Sequence, residues 1–143
     1  MRVMALDYGD ARTGVAISDE RGVLCGETLV INEWDAQALA QRVAKLAQER
    51  GAGLILLGLP LNMDGSEGPR AGKCREFAAL LSAAGAPEVL MRDERRTSVE
   101  AHAILRANGK REKKHRRSVD AVAAQLILET YLGSADNARR QQG

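Results

Sequence analysis

The chain has 143 residues and a formal net charge of +2; 45% of its residues are hydrophobic, 28% are charged and only 3% are aromatic. This length suits one compact domain, and the composition excludes disordered, fibrous and membrane-embedded proteins, since no apolar run approaches the roughly 18 to 20 residues that span a bilayer. The scarcity of aromatic residues predicts an aliphatic core and argues against recognition of nucleic acid through stacked bases.

Three strand-like segments separated by short turns open the chain, over residues 2–9, 12–19 and 22–32. Connections this short predict an antiparallel meander. Asp35 is placed to cap a helix that stops at Gly51, because an acceptor side chain before an amphipathic stretch and a glycine after it are the usual helix signals. The continuous apolar run over 53–60 then predicts a strand buried on both faces.

The second half of the chain alternates helices and strands. Pro69 opens a helix that ends near Gly85, and residues 88–94 form a short strand. This order, β-β-β-α-β-α-β-α plus a final helix, predicts an α/β domain with a mixed five-stranded sheet and helices packed on it. The topology is close to that of the ribonuclease H fold.

Two further helices are predicted towards the carboxyl end. Thr97 and Glu100 form a capping-box pattern for a helix that runs to about residue 107. Ser118 is the predicted cap of the last helix, which ends near Leu132. The segment 134–143 has little apolar content, so we expect a domain over 1–133 followed by a flexible polar tail.

The two cysteines, Cys25 and Cys74, lie far apart in the sequence and match no metal or redox motif. We interpret them as buried small apolar side chains in a reducing compartment. The first residues also lack the apolar stretch of a secretory signal. A cytoplasmic protein without a membrane partner is therefore expected.

Three acidic residues stand where predicted strands end or a helix begins: Asp7, Glu94 and Asp120. Each has a plain structural interpretation, as a turn residue, an exposed loop charge and a partner for the helix dipole respectively. However, Asp7 directly follows an apolar stretch, at the edge of the core, where a carboxylate needs a partner. Asp120 shares a helical face with apolar residues, namely Ala124, Ile127 and Tyr131.

The three acids can belong to one site if the first strand is central in the sheet. The ends of the first and fifth strands and the start of the last helix then converge at one edge. Carboxylates there would hold Mg²⁺ or Mn²⁺, which prefer oxygen ligands, and two such ions can promote phosphodiester cleavage. Such chemistry needs no histidine base, which suits a chain whose histidines are His102 and His115.

A long polar loop follows the apolar strand and leads into the helix that starts at Pro69. Gly65 and Gly68 permit positive φ angles and close approach of the backbone. Arg70 and Lys73 stand in the first turn of that helix, where cations oppose the helix dipole, so a visiting anion such as phosphate would explain them. The alternative is a purely structural loop.

The near-neutral net charge conceals a strongly basic block over residues 106–117. This block holds seven basic residues against the single acid Glu112. Such a run is usually solvated, but this one is internal and directly precedes Asp120. A flexible cationic segment beside a metal site would attract a polyanionic backbone.

Four segments carry a resemblance to a known family: LDYGDARTGVAISD (6–19), GLPLNMDGSEGPRA (58–71), DERRTSVEA (93–101) and SVDAVAAQLILETYL (118–132). They resemble the YqgF family, also called RuvX, whose members are RuvC-like nucleases of bacteria with a ribonuclease H fold. The resemblance covers nearly the whole chain in the right order. It implies a divalent-metal-dependent hydrolase with Asp7, Glu94 and Asp120 as catalytic metal ligands.

The family is described both as a nuclease that matures the 5′ end of pre-16S rRNA in ribosome biogenesis and as a Holliday junction resolvase. The resemblance therefore implies structured RNA or four-way DNA junctions as partners, and it leaves monomer and homodimer open. A binding factor without catalysis is the third alternative. The predicted nucleic-acid contacts are Arg12, Asn62, Arg70, Lys73, Lys110, Arg111, Lys113, Lys114, Arg116 and Arg117.

One motif departs from the family pattern. Where members usually carry Lys-Arg-Ile after the first acid, this chain has Ala11, Arg12 and Thr13. A positive charge near Asp7 is therefore missing, and Arg12 is the basic residue that remains there.

Overall fold

The computed structural model describes residues 1–93 and 112–142, with side chains described from residue 121 onward in the second range. The elements in chain order are β1 (Arg2–Asp7), β2 (Arg12–Ser18), β3 (Cys25–Asn32), α1 (Ala36–Arg50), β4 (Ala52–Leu59), α2 (Pro69–Ala83), β5 (Glu88–Asp93), α3 (Glu112–Leu132) and α4 (Ala135–Gln142). Glu94 and the helix predicted from Thr97 lie outside the described residues.

The five strands form one mixed sheet in the order β3-β2-β1-β4-β5, so β1 is central, which is the condition under which the predicted acids converge at one edge. β1, β2 and β3 pair antiparallel, which confirms the meander. β4 lies parallel to β1 on its other side, and β5 lies parallel to β4. The predicted α/β class and mixed five-stranded sheet are therefore confirmed.

The first two helices begin and end where local chemistry predicts. The Asp35 carboxylate accepts a hydrogen bond from the Ala38 amide at 3.0 Å, and Gly51 ends α1 in the left-handed conformation with φ +70°. Pro69 stands in the first turn of α2, where its missing N–H costs no helical hydrogen bond.

Alternation along β1 divides the core into two layers. Met4 and Leu6 are buried with α1 and α2 on one face of the sheet. Val3 and Ala5 are buried on the other face with apolar residues of α3. The sheet is therefore covered on both faces, which is why β1 and β4 are apolar almost throughout.

The last long helix starts earlier than the sequence analysis predicts. α3 begins at Glu112, so Ser118 lies inside the helix and is not its cap. Residues 112–117 contain no glycine or proline and are mostly Glu, Lys and Arg, all good helix formers, so the helix extends through them. This part of the basic block is therefore helical, and the expectation of a flexible cationic linker is wrong for it.

The polar tail also forms a helix, α4, where a flexible segment is expected. Asn137 is buried and its side-chain amide donates to the Gly22 and Leu132 carbonyl oxygens at 2.9 and 3.0 Å. The Met1 amino group donates to the Gln141 side chain at 2.8 Å. Polar contacts with the amino-terminal half therefore anchor this segment. Its low apolar content does not reveal these contacts, because their partners are far away in the sequence.

Replacing Asn137 by alanine is expected to lower the free energy of unfolding by about 1–3 kcal/mol, because a buried and a partly buried carbonyl oxygen lose their donor. The midpoint of urea denaturation measures this change. Asn32→Ala is the matched control, since Asn32 is exposed at the end of β3 and its loss should change stability by less than about 0.5 kcal/mol. Equal midpoints for Asn137→Ala and the wild type would contradict the anchoring role.

The cysteines differ in their surroundings. Cys74 is buried as expected, but Cys25 is only half-buried at the start of β3, so the expectation of two buried thiols is wrong for it. Within the described ranges, no helix is both long and apolar enough to cross a membrane.

Candidate functional site

Asp7 is the last residue of the central strand β1 and pairs in register with Gly14 of β2. Its side chain is half-buried. Continuing the alternation of Val3 and Ala5, it belongs to the face of the sheet that α3 covers. The first predicted acid therefore lies at the carboxyl edge of the sheet, on the α3 side.

The carboxyl ends of the three parallel strands meet at this same edge. Leu6 of β1 pairs with Leu57 of β4, and Leu59 of β4 pairs with Asp93, the last residue of β5. β1 and β5 are separated by one strand, so their ends lie about 10 Å apart. Glu94 follows Asp93 in the sequence, and its position lies outside the described residues.

The backbone position of Asp120 follows from how α3 runs across the sheet. α3 lies on β1 and β2, and its carboxyl end is beside the start of β1, because α4 follows at once and contacts Met1. Between Asp120 and Tyr131 the helix rises about 16 Å, close to the length of β1. Asp120 therefore lies on α3 towards the carboxyl end of β1.

Asp120 also shares its helical face with three residues that are buried against the sheet: Ala124, Ile127 and Tyr131. Asp7 and Asp120 thus belong to the same side of the sheet and to the same end of it. The predicted donors are carboxylate oxygens, and their chemistry suits Mg²⁺ or Mn²⁺. Among the described side chains, no three from His, Cys, Asp and Glu are grouped closely enough to hold a metal ion.

The cations in the first turn of α2 have a partner that the sequence analysis did not identify. The Arg70 guanidinium donates to the Asp10 carboxylate at 2.8 Å and to the Tyr8 carbonyl oxygen. The Lys73 ammonium lies 3.7 Å from the same carboxylate. The hydrogen bond from Arg70, followed by the charges of Arg70 and Lys73, lowers the pKa of Asp10. An external anion is therefore not needed to explain these cations.

Arg70 has a second role that follows from these contacts. Its guanidinium lies over the Tyr8 ring, with 5.1 Å between the central carbon and the ring centroid. Because Tyr8 follows Asp7 directly, Arg70 fixes the backbone just beyond the predicted metal ligand. The only sequence signal for this contact is the presence of Asp10 in the turn between β1 and β2.

The loop between β4 and α2 is shaped by its own hydrogen bonds. The backbone N–H of Asn62 donates to the Ser66 carbonyl oxygen at 2.8 Å, and the Asn62 side-chain amide donates to the Ser66 hydroxyl at 3.0 Å. Gly65 has φ +87°, whereas Gly68 is extended with φ −101°, where a Cβ would make ordinary van der Waals contact with the Asn62 side chain at 3.4 Å. Asn62 as a nucleic-acid contact stays a prediction.

The other predicted nucleic-acid residues lie on β2, on α3 and in the part of the chain that the structure does not describe. Arg12 is exposed at the start of β2. Lys113, Lys114, Arg116 and Arg117 lie in the first turns of α3, and Arg116 precedes Asp120 by one turn. Lys110 and Arg111 fall outside the described residues.

Comparison with known proteins agrees with this architecture. Residues 1–134 match a family model described as "RuvX: Holliday junction resolvase". A protein of Pelotomaculum thermopropionicum named "Putative pre-16S rRNA nuclease" is 39% identical over 100% of this chain and 94% of its own length. A relative of the same name from Halothermothrix orenii is 41% identical over 92% of this chain and 94% of its own.

Two solved structures share the fold at low sequence identity. RuvC of T. thermophilus, in complex with a Holliday junction substrate, has a TM-score of 0.59 at 15% identity and covers 94% of this chain and 98% of its own. The Fowlpox virus resolvase in complex with substrate Holliday junction DNA has a TM-score of 0.57 at 12% identity, covering 92% and 97%. The ribonuclease H-like topology predicted from the sequence is thereby confirmed.

Proposed function

The chain belongs to the RuvX family and is a nuclease, and we propose that it matures the 5′ end of pre-16S rRNA during ribosome biogenesis in the cytoplasm. The observation that carries this proposal is the match with relatives named for that activity over nearly the whole length of both chains. The family match over residues 1–134 includes all three predicted acids.

Asp7, Glu94 and Asp120 are the proposed catalytic residues and metal ligands. Asp7 and Asp120 would bind two Mg²⁺ or Mn²⁺ ions, and Glu94 would complete the ligand set and orient the attacking water. When bound, the ions supply an activated water and stabilise the leaving oxygen. The positions of Asp7 and Asp120 on one side of the sheet, at one end of it, support this assignment.

The basic residues around this edge would hold the phosphate backbone. Arg12 lies on the strand that pairs with β1, and Arg116 and Arg117 lie on α3 within about one turn of Asp120. A substrate phosphate can compete with Asp10 for Arg70 and Lys73, because both cations are already oriented at this edge. Asn62, Lys110, Arg111, Lys113 and Lys114 complete the proposed contact set.

Holliday junction resolution is the second candidate, and the description of the matching family model favours it. Symmetric cuts across a four-way junction need two active sites, hence a dimer. The two candidate functions therefore differ in the oligomeric state that they require as well as in substrate.

A cleavage assay on a precursor rRNA fragment and on a four-way DNA junction, each with Mg²⁺, Mn²⁺ or a chelator, tests the proposal. We expect metal-dependent cutting of the rRNA fragment at its 5′ side, with the protein's mass in solution measured in parallel by light scattering. Symmetric junction cuts by a dimer, without rRNA cutting, would assign resolvase activity instead. Binding of both substrates without cleavage under any condition would favour a non-catalytic assembly factor.

A further inference from the structure

Three of the chain's four aromatic residues surround one pocket beside the proposed site. Tyr8, Trp34 and Phe77 line a cavity of about 300 Å³, together with Asp10 and Lys73 among others. The cavity lies between the end of β1, the connection from β3 to α1, and α2. Its volume is at the lower end of the range for small-ligand sites.

The three rings differ in how much of their surface is exposed to a ligand. Tyr8 and Phe77 stack on each other, with centroids 4.3 Å apart and planes 5° apart, and Phe77 is buried. Trp34 is 80% exposed, although tryptophan is usually among the more buried residues. The indole is therefore available to a flat ligand, whose stacking would remove apolar surface from water.

The polar groups of the pocket suit a nucleotide. Lys73 can contact a phosphate, and the Asp10 and Glu76 carboxylates can accept hydrogen bonds from the amino groups of a base. Tyr8 also connects the pocket to the proposed site, because it follows Asp7 directly. The pocket and Asp7 thus lie on opposite faces of the sheet at the same edge.

We propose that this pocket receives one unpaired nucleobase of the substrate, which stacks on the Trp34 indole while the phosphodiester backbone continues over the sheet edge to Asp7. This inference rests on the proposed function, since it assumes a nucleic-acid substrate. A fully paired duplex hides the faces of its bases, so the pocket selects single-stranded or flipped-out nucleotides. Trp34 is a binding and specificity residue in this arrangement.

Because Trp34 is the only tryptophan of the chain, its fluorescence reports directly on stacking. The wild type is titrated in a chelator, which prevents cleavage, with oligoadenylate RNA, with a paired RNA duplex and with inorganic polyphosphate. We expect quenching by oligoadenylate and little by the duplex or by polyphosphate, which has no bases. Because the Trp34 variants lack this signal, their affinity is measured by the fluorescence anisotropy of a dye-labelled oligoadenylate, with the wild type measured in the same way. Trp34→Ala should weaken oligoadenylate binding about five- to a hundredfold, and Trp34→Phe should restore most of the affinity.

Leu24→Ala is the control variant, because Leu24 is 68% exposed in the turn at the opposite edge of the sheet. Its affinity for oligoadenylate should equal that of the wild type, and circular dichroism should show all three variants folded. Unchanged affinity in Trp34→Ala, or equal quenching by polyphosphate, would overturn the stacking site while rRNA cleavage by the wild type still upheld the proposed function. Failure of both binding and cleavage would overturn both.

Discussion

Asp7→Asn is expected to reduce metal-dependent cleavage by at least about a thousandfold, because asparagine cannot supply the anionic oxygen that a divalent cation needs at the proposed metal site. Metal-ion stabilisation of a phosphodiester transition state is worth several kcal/mol, and each 1.4 kcal/mol is about tenfold in rate. Asp7 is half-buried at the end of β1, and asparagine has nearly the same shape, so the fold should persist. Single-turnover cleavage of the precursor rRNA fragment with Mn²⁺ measures the loss.

Glu20→Gln is the matched control for this change in charge. The Glu20 side chain is 84% exposed and lies near Met1 and Arg2, at the other end of β1 from Asp7. Its activity should stay within about twofold of the wild type, since surface substitutions of this kind change little. Retained cleavage in Asp7→Asn would remove this residue from the metal site.

Phe77→Ala is expected to lower the free energy of unfolding by about 3–5 kcal/mol, the usual cost of deleting a buried aromatic side chain. Phe77 is 1% exposed in the layer between α2 and the sheet, and its ring stacks on Tyr8. The variant should therefore also lose activity at a temperature where it remains folded, because Tyr8 directly follows Asp7. Urea denaturation and cleavage at low temperature give the two readouts.

Two further variants separate stability from positioning. Leu81→Ala removes a fully buried side chain one turn beyond Phe77 on the same helix, leaves the Tyr8–Phe77 stack in place, and should lose about 2–5 kcal/mol of stability with normal activity when folded. Phe77→Leu should recover most of the stability of Phe77→Ala. If Phe77→Ala and Leu81→Ala lose activity equally, the stack with Tyr8 has no positioning role.

Much of the fold could be predicted because local chemistry and periodicity decide it. Asp35 and Gly51 bound α1, and Pro69 opens α2, through interactions within a few residues. The apolar run in β4 indicates a strand covered on both faces, and the short turns between β1, β2 and β3 favour a meander. These signals place the acid at the end of β1 without knowledge of distant contacts.

Other features depend on residues that are far apart in the sequence. Asn137 donates to the Gly22 carbonyl oxygen, and Arg140 pairs with Glu88 at 3.0 Å, so a segment with hardly any apolar residues becomes a helix packed on the domain. Arg70 likewise pairs with Asp10, which lies 60 residues earlier, in the first turn of the chain. No window of sequence contains both partners of such a contact.

The sequence by itself determined the order of the five strands and of the helices α1 to α3, and it identified the three acids proposed to bind metal, because these follow from periodicity, caps and motifs. The pairing of the strands decided that β1 is central. The tertiary structure decided which charges are already paired and where the few aromatic side chains meet. The chain has four aromatic residues, a number that argues against stacking of nucleobases. In the fold, however, α2 packs beside the end of β1, and Tyr8, Trp34 and Phe77 line one pocket. The reason is physical: composition sets how much ring surface exists, and only folding sets where it is concentrated.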